Sequence, residues 1–234
     1  MRLTNSTTLG TTLPIRVITY NIRYAADHRA PNEEPWPVRC PKLATQLRFA
    51  TSGLESSFLC LQEGRDGGEA GEYSPVFYQP EVWACEGWRT VWLSETPDVP
   101  SRGWDAVLNR IVTVGRFKHV FTGTRVVVMS THFDHVGVKA RERSAELVLS
   151  VLVVLGGDLN SLPDDPGYRT LTAPGSGMVD VRERVAEDAR YGNECTYSSF
   201  GEPGEGPKRI DFLFAAGPPG DAAVAGSMWP PTAC

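Results

Sequence analysis

Four apolar runs in this sequence each stop on a side chain that can hold a metal ion or a phosphate oxygen. IRVITY leads into Asn21, SFLCLQ into Glu63, RVVVMST into His132, and LVVLGG into Asp158, with Asn160 two residues on. Together these are the groups that chemistry at a phosphate ester requires. A carboxylate binds a hard divalent cation, amides hold phosphate oxygens or water, and an imidazole moves a proton. Strand alternation points Asp158 and Asn160 to the same side, so carboxylate and amide converge on one ligand. Each residue alone has a plainer reading: Asn as a turn former, Glu as a solvated side chain, His as a satisfied structural group. The coincidence of four strand ends favours a site, because packed strand ends are rigid and are where α/β folds build their chemistry.

The elements that would present these residues can be read from pattern. Strands are expected at Ile15 to Ile22, Ser57 to Gln62, Tyr73 to Tyr78, Trp88 to Leu93, Asn109 to Phe117, Arg125 to Thr131, Val151 to Leu155 and Arg209 to Phe214. Helices are expected at Arg39 to Leu54, with Leu43, Leu47, Ala50 and Leu54 on one face, and at Val138 to Ser150. Ala25 to Pro37 and Ser94 to Asp105 read as loops, and Gly64 to Gly71 as a glycine-rich turn. Mixed strands without strict βα alternation imply an α/β or α+β layered sandwich.

Composition bounds the reading. The chain has 234 residues, 41% hydrophobic and 22% charged, which suits one domain with one sizeable core. With 23 Gly and 18 Pro, turns take a large share and an all-helical bundle is excluded. A net charge of −5 disfavours a general nucleic-acid coat protein, which needs a basic surface. Cys40, Cys60, Cys85, Cys195 and Cys234 are odd in number and form no CxxC pair, so they read as free thiols in a reducing compartment. Asn5-Ser6-Thr7 is a sequon by chance. No signal peptide and no transmembrane run of about 18 apolar residues is seen, which places the expectation at a cytoplasmic protein.

At the motifs TYNIRY, LCLQE, GEYSPVFY, WLSETPDVPSRGWDA, STHFDHVG, GGDLNS and RIDFLF, from Arg16 to about Phe214, the sequence resembles the endonuclease/exonuclease/phosphatase superfamily, in particular a microbial and fungal branch. The resemblance implies a four-layered sandwich of two mixed β-sheets flanked by helices. It implies a polar lead at 1–14, the domain at 15–216, and a disordered tail at 217–234. It implies that Glu63 ligates Mg²⁺ (or Mn²⁺) and that Asn21 lies near metal and phosphate. His132 matches the first catalytic histidine, and Glu72 the glutamate that orients it. Asp158 and Asn160 match the pair that positions water and phosphate, and Arg110 a phosphate-contacting arginine. Asp211 matches the aspartate that orients a second histidine; alone, it could be an ordinary ion-pair partner of Arg209. Trp92, Trp104 and Phe133 read as core or loop-packing aromatics, and His135 as a loop residue without a role.

The pattern breaks at three places. The last histidine is His135, and the closing Ser-Asp-His of the superfamily is absent, so the fold is expected to be incomplete at its C-terminus. Only residues 64–71 separate Glu63 from Glu72, and LVLSVLVVLGG joins a helix to a strand without turn residues. Two functional readings therefore stay open. One is a Mg²⁺-dependent phosphoester hydrolase acting on a phosphorylated small molecule, a lipid head group or nucleic acid, with the acidic charge favouring compact substrates. The other is an impaired remnant that binds metal or phosphate without turnover. A third, that the shortened chain does not fold stably, is tested by cooperative unfolding. No protein partner is inferable.

Overall fold

The computed structural model describes residues 13–26, 28–64, 73–149 and 154–216. Two mixed sheets face each other. In the smaller, β1 (Arg16–Asn21) pairs parallel with β2 (Ser57–Gln62), which pairs antiparallel with β3 (Val76–Tyr78). The larger contains β4 (Trp83–Trp92), β5 (Ile111–His119), β6 (Arg125–His132), β7 (Val154–Asp158), β8 (Met178–Asp180) and β9 (Asp211–Ala216), in the order β4-β5-β6-β7-β9-β8. Only β6 and β7 run parallel there. This is the expected layered sandwich of two mixed sheets with helices.

Alternation along the strands sorts side chains between two apolar layers. Phe58, Cys60, Trp83, Phe117, Val126 and Val128 fill the space between the sheets. Phe58 sits 5.0 Å from the Trp83 ring and 4.9 Å from the Phe117 ring, in tilted contacts. The alternate residues Val112, Val114, Met129, Leu155, Phe212 and Phe214 point the other way. They meet Ala145 and Val148 of α2 (Val138–Leu149) and Leu171 of α3 (Pro166–Thr172). Gly156 lets the sheets close up, because a Cβ there would lie 3.0 Å from Cys60 Cβ and 3.2 Å from Thr19 Cβ. Burial in this layer pushes the Cys60 thiol up to about 12, against a hydrogen bond from the Gly156 backbone, so Cys60 packs as a small apolar group. Cys40, Cys85 and Cys195 are also free.

The α1 helix spans Trp36–Thr51, three residues earlier at both ends than its apolar spacing suggests. Pro37 reads as a loop residue in sequence, yet it lies in the first turn, where a missing N–H costs nothing. Leu43, Leu47 and Ala50 share a half-buried face, and no residue of α1 is buried. Arg16 ties the helix end to the smaller sheet by donating to the carbonyls of Ala50 (2.8 Å) and Ser52 (2.9 Å). Strand β4 begins five residues before its expected start and carries a bulge between Cys85 and Gly87. Strand β7 runs three residues past the end of its expected span, to Asp158, and residues 150–153 before it lie outside the described residues. So do the glycine-rich turn beyond Gly64 (65–71), all but two residues of the polar lead, and the expected tail at 217–234. Among the described residues, no helix is long and apolar enough to cross a membrane.

Candidate active site

The topology brings the C-terminal ends of β1, β2, β6 and β7 to one end of the sandwich, together with the N-terminal end of β9. In-register pairing fixes the depths: Asn21 lies opposite Gln62, His132 opposite Asp158, and Asp158 opposite Asp211. The strand-end residues singled out in sequence therefore converge from segments far apart in the chain.

Asn21 is the hinge of the cluster. Its Nδ2 donates to Glu63 Oε1 and to Asp158 Oδ2, both at 3.0 Å, so one neutral amide binds two carboxylates. Its Oδ1 accepts from the Arg23 N–H at 2.9 Å, an Asx turn that bends the chain off β1. The other oxygen of Glu63 accepts from the Tyr24 N–H at 3.1 Å, and Arg23 Nη1 stands 4.0 Å from it. Glu63 itself has a left-handed backbone (φ 59°), as do Arg23 (φ 48°) and Asn160 (φ 46°). For residues other than glycine this conformation is costly and persists where surrounding bonds impose it.

On the β7 side, Asp158 Oδ1 accepts from the Asn160 N–H at 2.9 Å, while Asp158 Oδ2 lies 3.7 Å from His132 Nε2. Asn160 Nδ2 donates to the Phe133 carbonyl at 3.0 Å and stands 3.0 Å from His132 Nε2. It can donate to the ring only when Nε2 is unprotonated, which places the proton of a neutral His132 on Nδ1. Glu63, His132 and Asp158 are all buried, so their polar groups face one another more than bulk water. Beneath them, Gln62 Nε2 ties the layers by donating to Thr19 Oγ1 (3.2 Å) and Ser130 Oγ (3.4 Å).

Asp211 completes the concentration of carboxylates. Its acid is pushed up to about 8, first by burial and then by the negative charges of Asp158 and Glu63, against a hydrogen bond from the Thr196 hydroxyl. Asp211 Oδ1 is buried without a hydrogen-bond partner. The plainer reading, an ion pair with Arg209, does not hold. Arg209 Nη2 instead binds both oxygens of Asp180, at 2.9 and 2.7 Å, and its guanidinium stacks over Phe212.

Arg110 is buried at the same end of the sheet rather than at the surface. Its Nε is 3.8 Å from Asp134 Oδ2 and its Nη2 is 3.4 Å from Nδ1 of His135, so its head lies beside the segment following His132. Burial works to raise Asp134, but N–H groups of Gly137, Val136, Leu108 and Val107 outweigh it and hold the carboxyl below its ordinary range. Phe133 is wholly buried and Trp92 and Trp104 are half-buried, consistent with packing roles. Glu72 falls outside the described residues. Sequence pattern gave no sign of Arg39, Glu33 or Thr196, whose partners lie on segments brought close only by the fold.

A model of the Endonuclease/Exonuclease/phosphatase family matches residues 18–233. Among solved structures, an endonuclease/exonuclease/phosphatase family protein from Bacteroides thetaiotaomicron is 30% identical with a TM-score of 0.72, over 86% of this chain and 81% of that one. A mannosyl-6-phosphatase from Bacteroides thetaiotaomicron VPI-5482 is 29% identical with a TM-score of 0.70, over 87% of this chain and 85% of that one. The corresponding family protein from Bacteroides vulgatus is 30% identical with a TM-score of 0.68, over 86% and 87%. No curated protein matches by sequence. By its motifs, by the sandwich that carries them and by these matches, the chain belongs to the endonuclease/exonuclease/phosphatase family.

Proposed function

We propose that the protein is a Mg²⁺-dependent phosphoester hydrolase. The observation that carries this reading is the meeting of Asn21, Glu63, His132, Asp158 and Asn160 at one end of the sandwich, through hydrogen bonds of 2.9–3.0 Å.

The donor set fits a small hard cation. Two carboxylates share one amide donor, and a third carboxyl, Asp211, keeps a buried oxygen without a partner. Among the described residues no three His, Cys, Asp or Glu side chains group closely enough to hold a metal by themselves. Mg²⁺ is held by one or two carboxylates and completes its shell with water and phosphate oxygens; Mn²⁺ suits the same donors. Glu63 would hold the ion, steadied by Asn21 and the Tyr24 N–H, and the ion when bound would neutralise charge on the phosphoryl oxygens.

Asp158 accepts a proton or hydrogen bond from the water that attacks phosphorus, and the Asn160 amide, whose two N–H groups hold the Phe133 carbonyl and His132 Nε2, can turn one of them to a phosphate oxygen when that ring nitrogen is protonated. As the new P–O bond forms, the ester P–O bond breaks and the departing oxygen needs a proton. His132 would supply it from a protonated ring or bind the phosphate, in the role that the family resemblance gives it beside Glu72. Arg110, whose head lies beside Asp134 and His135, would contact the phosphate, as the family resemblance implies. Similarity to a mannosyl-6-phosphatase supports a compact phosphomonoester such as a sugar phosphate, and the net charge of −5 supports the same choice over long nucleic acid.

The second reading, binding without turnover, is favoured by one observation. Asp211, the residue expected to orient a further imidazole, has a partnerless Oδ1, and its charged neighbours are Asp158 and Glu63. Hydrolysis of a sugar 6-phosphate and of an aryl phosphodiester with Mg²⁺, run beside Glu63→Ala, separates the two. Turnover that falls by about 10²-fold or more in the variant supports the hydrolase. No turnover by either protein on either substrate supports binding alone.

A further inference from the structure

The segment leaving β1 is held by one side chain from α1. Arg39 Nη1 donates to the carbonyl of Ile22 at 3.1 Å, and Nη2 to those of Arg23 (2.8 Å) and Tyr24 (3.1 Å). Its Nε donates to the Glu34 carbonyl at 2.9 Å, and Nη2 pairs with Glu33 Oε1 at 3.0 Å. The Glu33 side chain is fully buried and Arg39 is 15% exposed. Arg23 adds a second cation to Glu33 at 3.5 Å. The guanidinium also lies 5.3 Å from the Trp36 ring and 6.0 Å from the Phe200 ring, while Asn32 Nδ2 binds the Phe200 carbonyl at 2.9 Å.

Three consecutive carbonyls are thus gathered on one planar cation. The N–H groups of the same stretch point the opposite way, Arg23 to Asn21 Oδ1 and Tyr24 to Glu63 Oε2. This division of donors and acceptors needs the left-handed backbone at Arg23 (φ 48°), which is unfavourable without an external hold. We propose that Arg39 is a positioning residue for Glu63: by clamping residues 22–24 it sets Asn21 and the Tyr24 N–H against the two oxygens of that carboxylate. Lysine cannot replace it, because a single ammonium cannot span three carbonyls and a carboxylate in one plane.

The inference rests on Glu63 as a cation ligand, and the test separates the two ideas. Arg39→Lys, which keeps the charge beside Glu33, and Arg39→Gln are compared with the wild-type full chain. Mn²⁺ affinity is measured by calorimetry, and amide hydrogen exchange is followed over residues 20–26. Exchange at 22–26 is expected to rise at least about 10-fold, and Mn²⁺ affinity to fall about 10–100-fold, with the rest of the fold still protected. Arg125→Gln, which opens only an exposed pair with Glu86, is expected to leave both readouts unchanged. Wild-type exchange at 22–26 in both Arg39 variants, or faster exchange with unchanged Mn²⁺ affinity, overturns the proposal. If wild type shows no Mn²⁺ binding that Glu63→Gln removes, the cation reading fails instead, and exchange at 22–26 alone decides the role of Arg39. Should Arg39→Gln not fold, Arg39→Lys carries the test.

Discussion

Asn21→Leu removes the one amide that binds two carboxylates while keeping the branched four-atom shape of the side chain. Two of the lost bonds are 3.0 Å long and end on carboxylates, a class of hydrogen bond that contributes about 1.5–3 kcal/mol, and the third is the Arg23 N–H bond to Oδ1 at 2.9 Å. Glu63 retains the Tyr24 N–H and Asp158 retains the Asn160 N–H, so neither is stripped of all donors. Their side chains are only 11% and 6% exposed, so water replaces the amide poorly. The net expectation is a loss of about 2–4 kcal/mol, which for a domain of this size lowers Tm by about 4–16 °C. Urea and thermal unfolding in EDTA at pH 7 measure it. Asn21→Asp sharpens the test by adding a carboxylate where two already meet. It is expected to be less stable than Asn21→Leu in EDTA and to regain more stability than wild type on titration with Mg²⁺. An Asn21→Leu protein within about 0.5 kcal/mol of wild type would refute the claim that this amide holds the cluster together. An Asn21→Asp protein indifferent to Mg²⁺ would refute its electrostatic part.

Two further expectations follow from the same end of the molecule. Gly156→Ala places a Cβ against the Cβ atoms of Cys60 and Thr19, which are fixed to the backbone of the facing sheet; a cost of about 1–3 kcal/mol is expected in thermal unfolding, and an unchanged Tm would mean that the sheets separate freely. Asp211 is held up to about 8 in the folded protein, against an ordinary value near 3.8, so the native state keeps a proton that the unfolded chain releases between those values. Cation-free stability therefore falls as pH rises through that window, and Asp211→Asn is expected to flatten the decline in urea titrations at successive pH values; parallel slopes for the two proteins would count against it.

The sequence was most legible where a strand is one uninterrupted apolar run. Ser57–Gln62 is bounded by Ser and Glu, and its expected and observed spans coincide, while Arg125–His132 differs by one position. Reading weakened where local signals conflict with packing. The Glu86-Gly87 pair interrupts the apolar pattern of β4, because the bulge between Cys85 and Gly87 lets the strand continue through it. The α3 helix and β8, at seven and three residues, are too short to show periodicity. The residue types of the site were legible because Asn21, Glu63, His132 and Asp158 all sit where an apolar run stops. Arg39 was not, since its partners are mostly backbone carbonyls and nothing in a sequence marks where a loop will turn its carbonyls. Arg209 and Asp211 are two positions apart, yet both oxygens of the buried Asp180, on the neighbouring strand β8, take the Arg209 guanidinium, a pairing that distance along the chain does not reveal.

The contact between Asn21 and Asp158 spans 137 positions of the chain, and that between Asn21 and Glu63 spans 42. Contacts of such separation carry the largest loop-closure entropy and close after local hairpins and helices have formed. The cluster is therefore expected to assemble late in folding, after the helices and the β4-β5-β6 meander. Cation binding, followed in real time, would report completion of the native topology more faithfully than any spectroscopic measure of secondary structure.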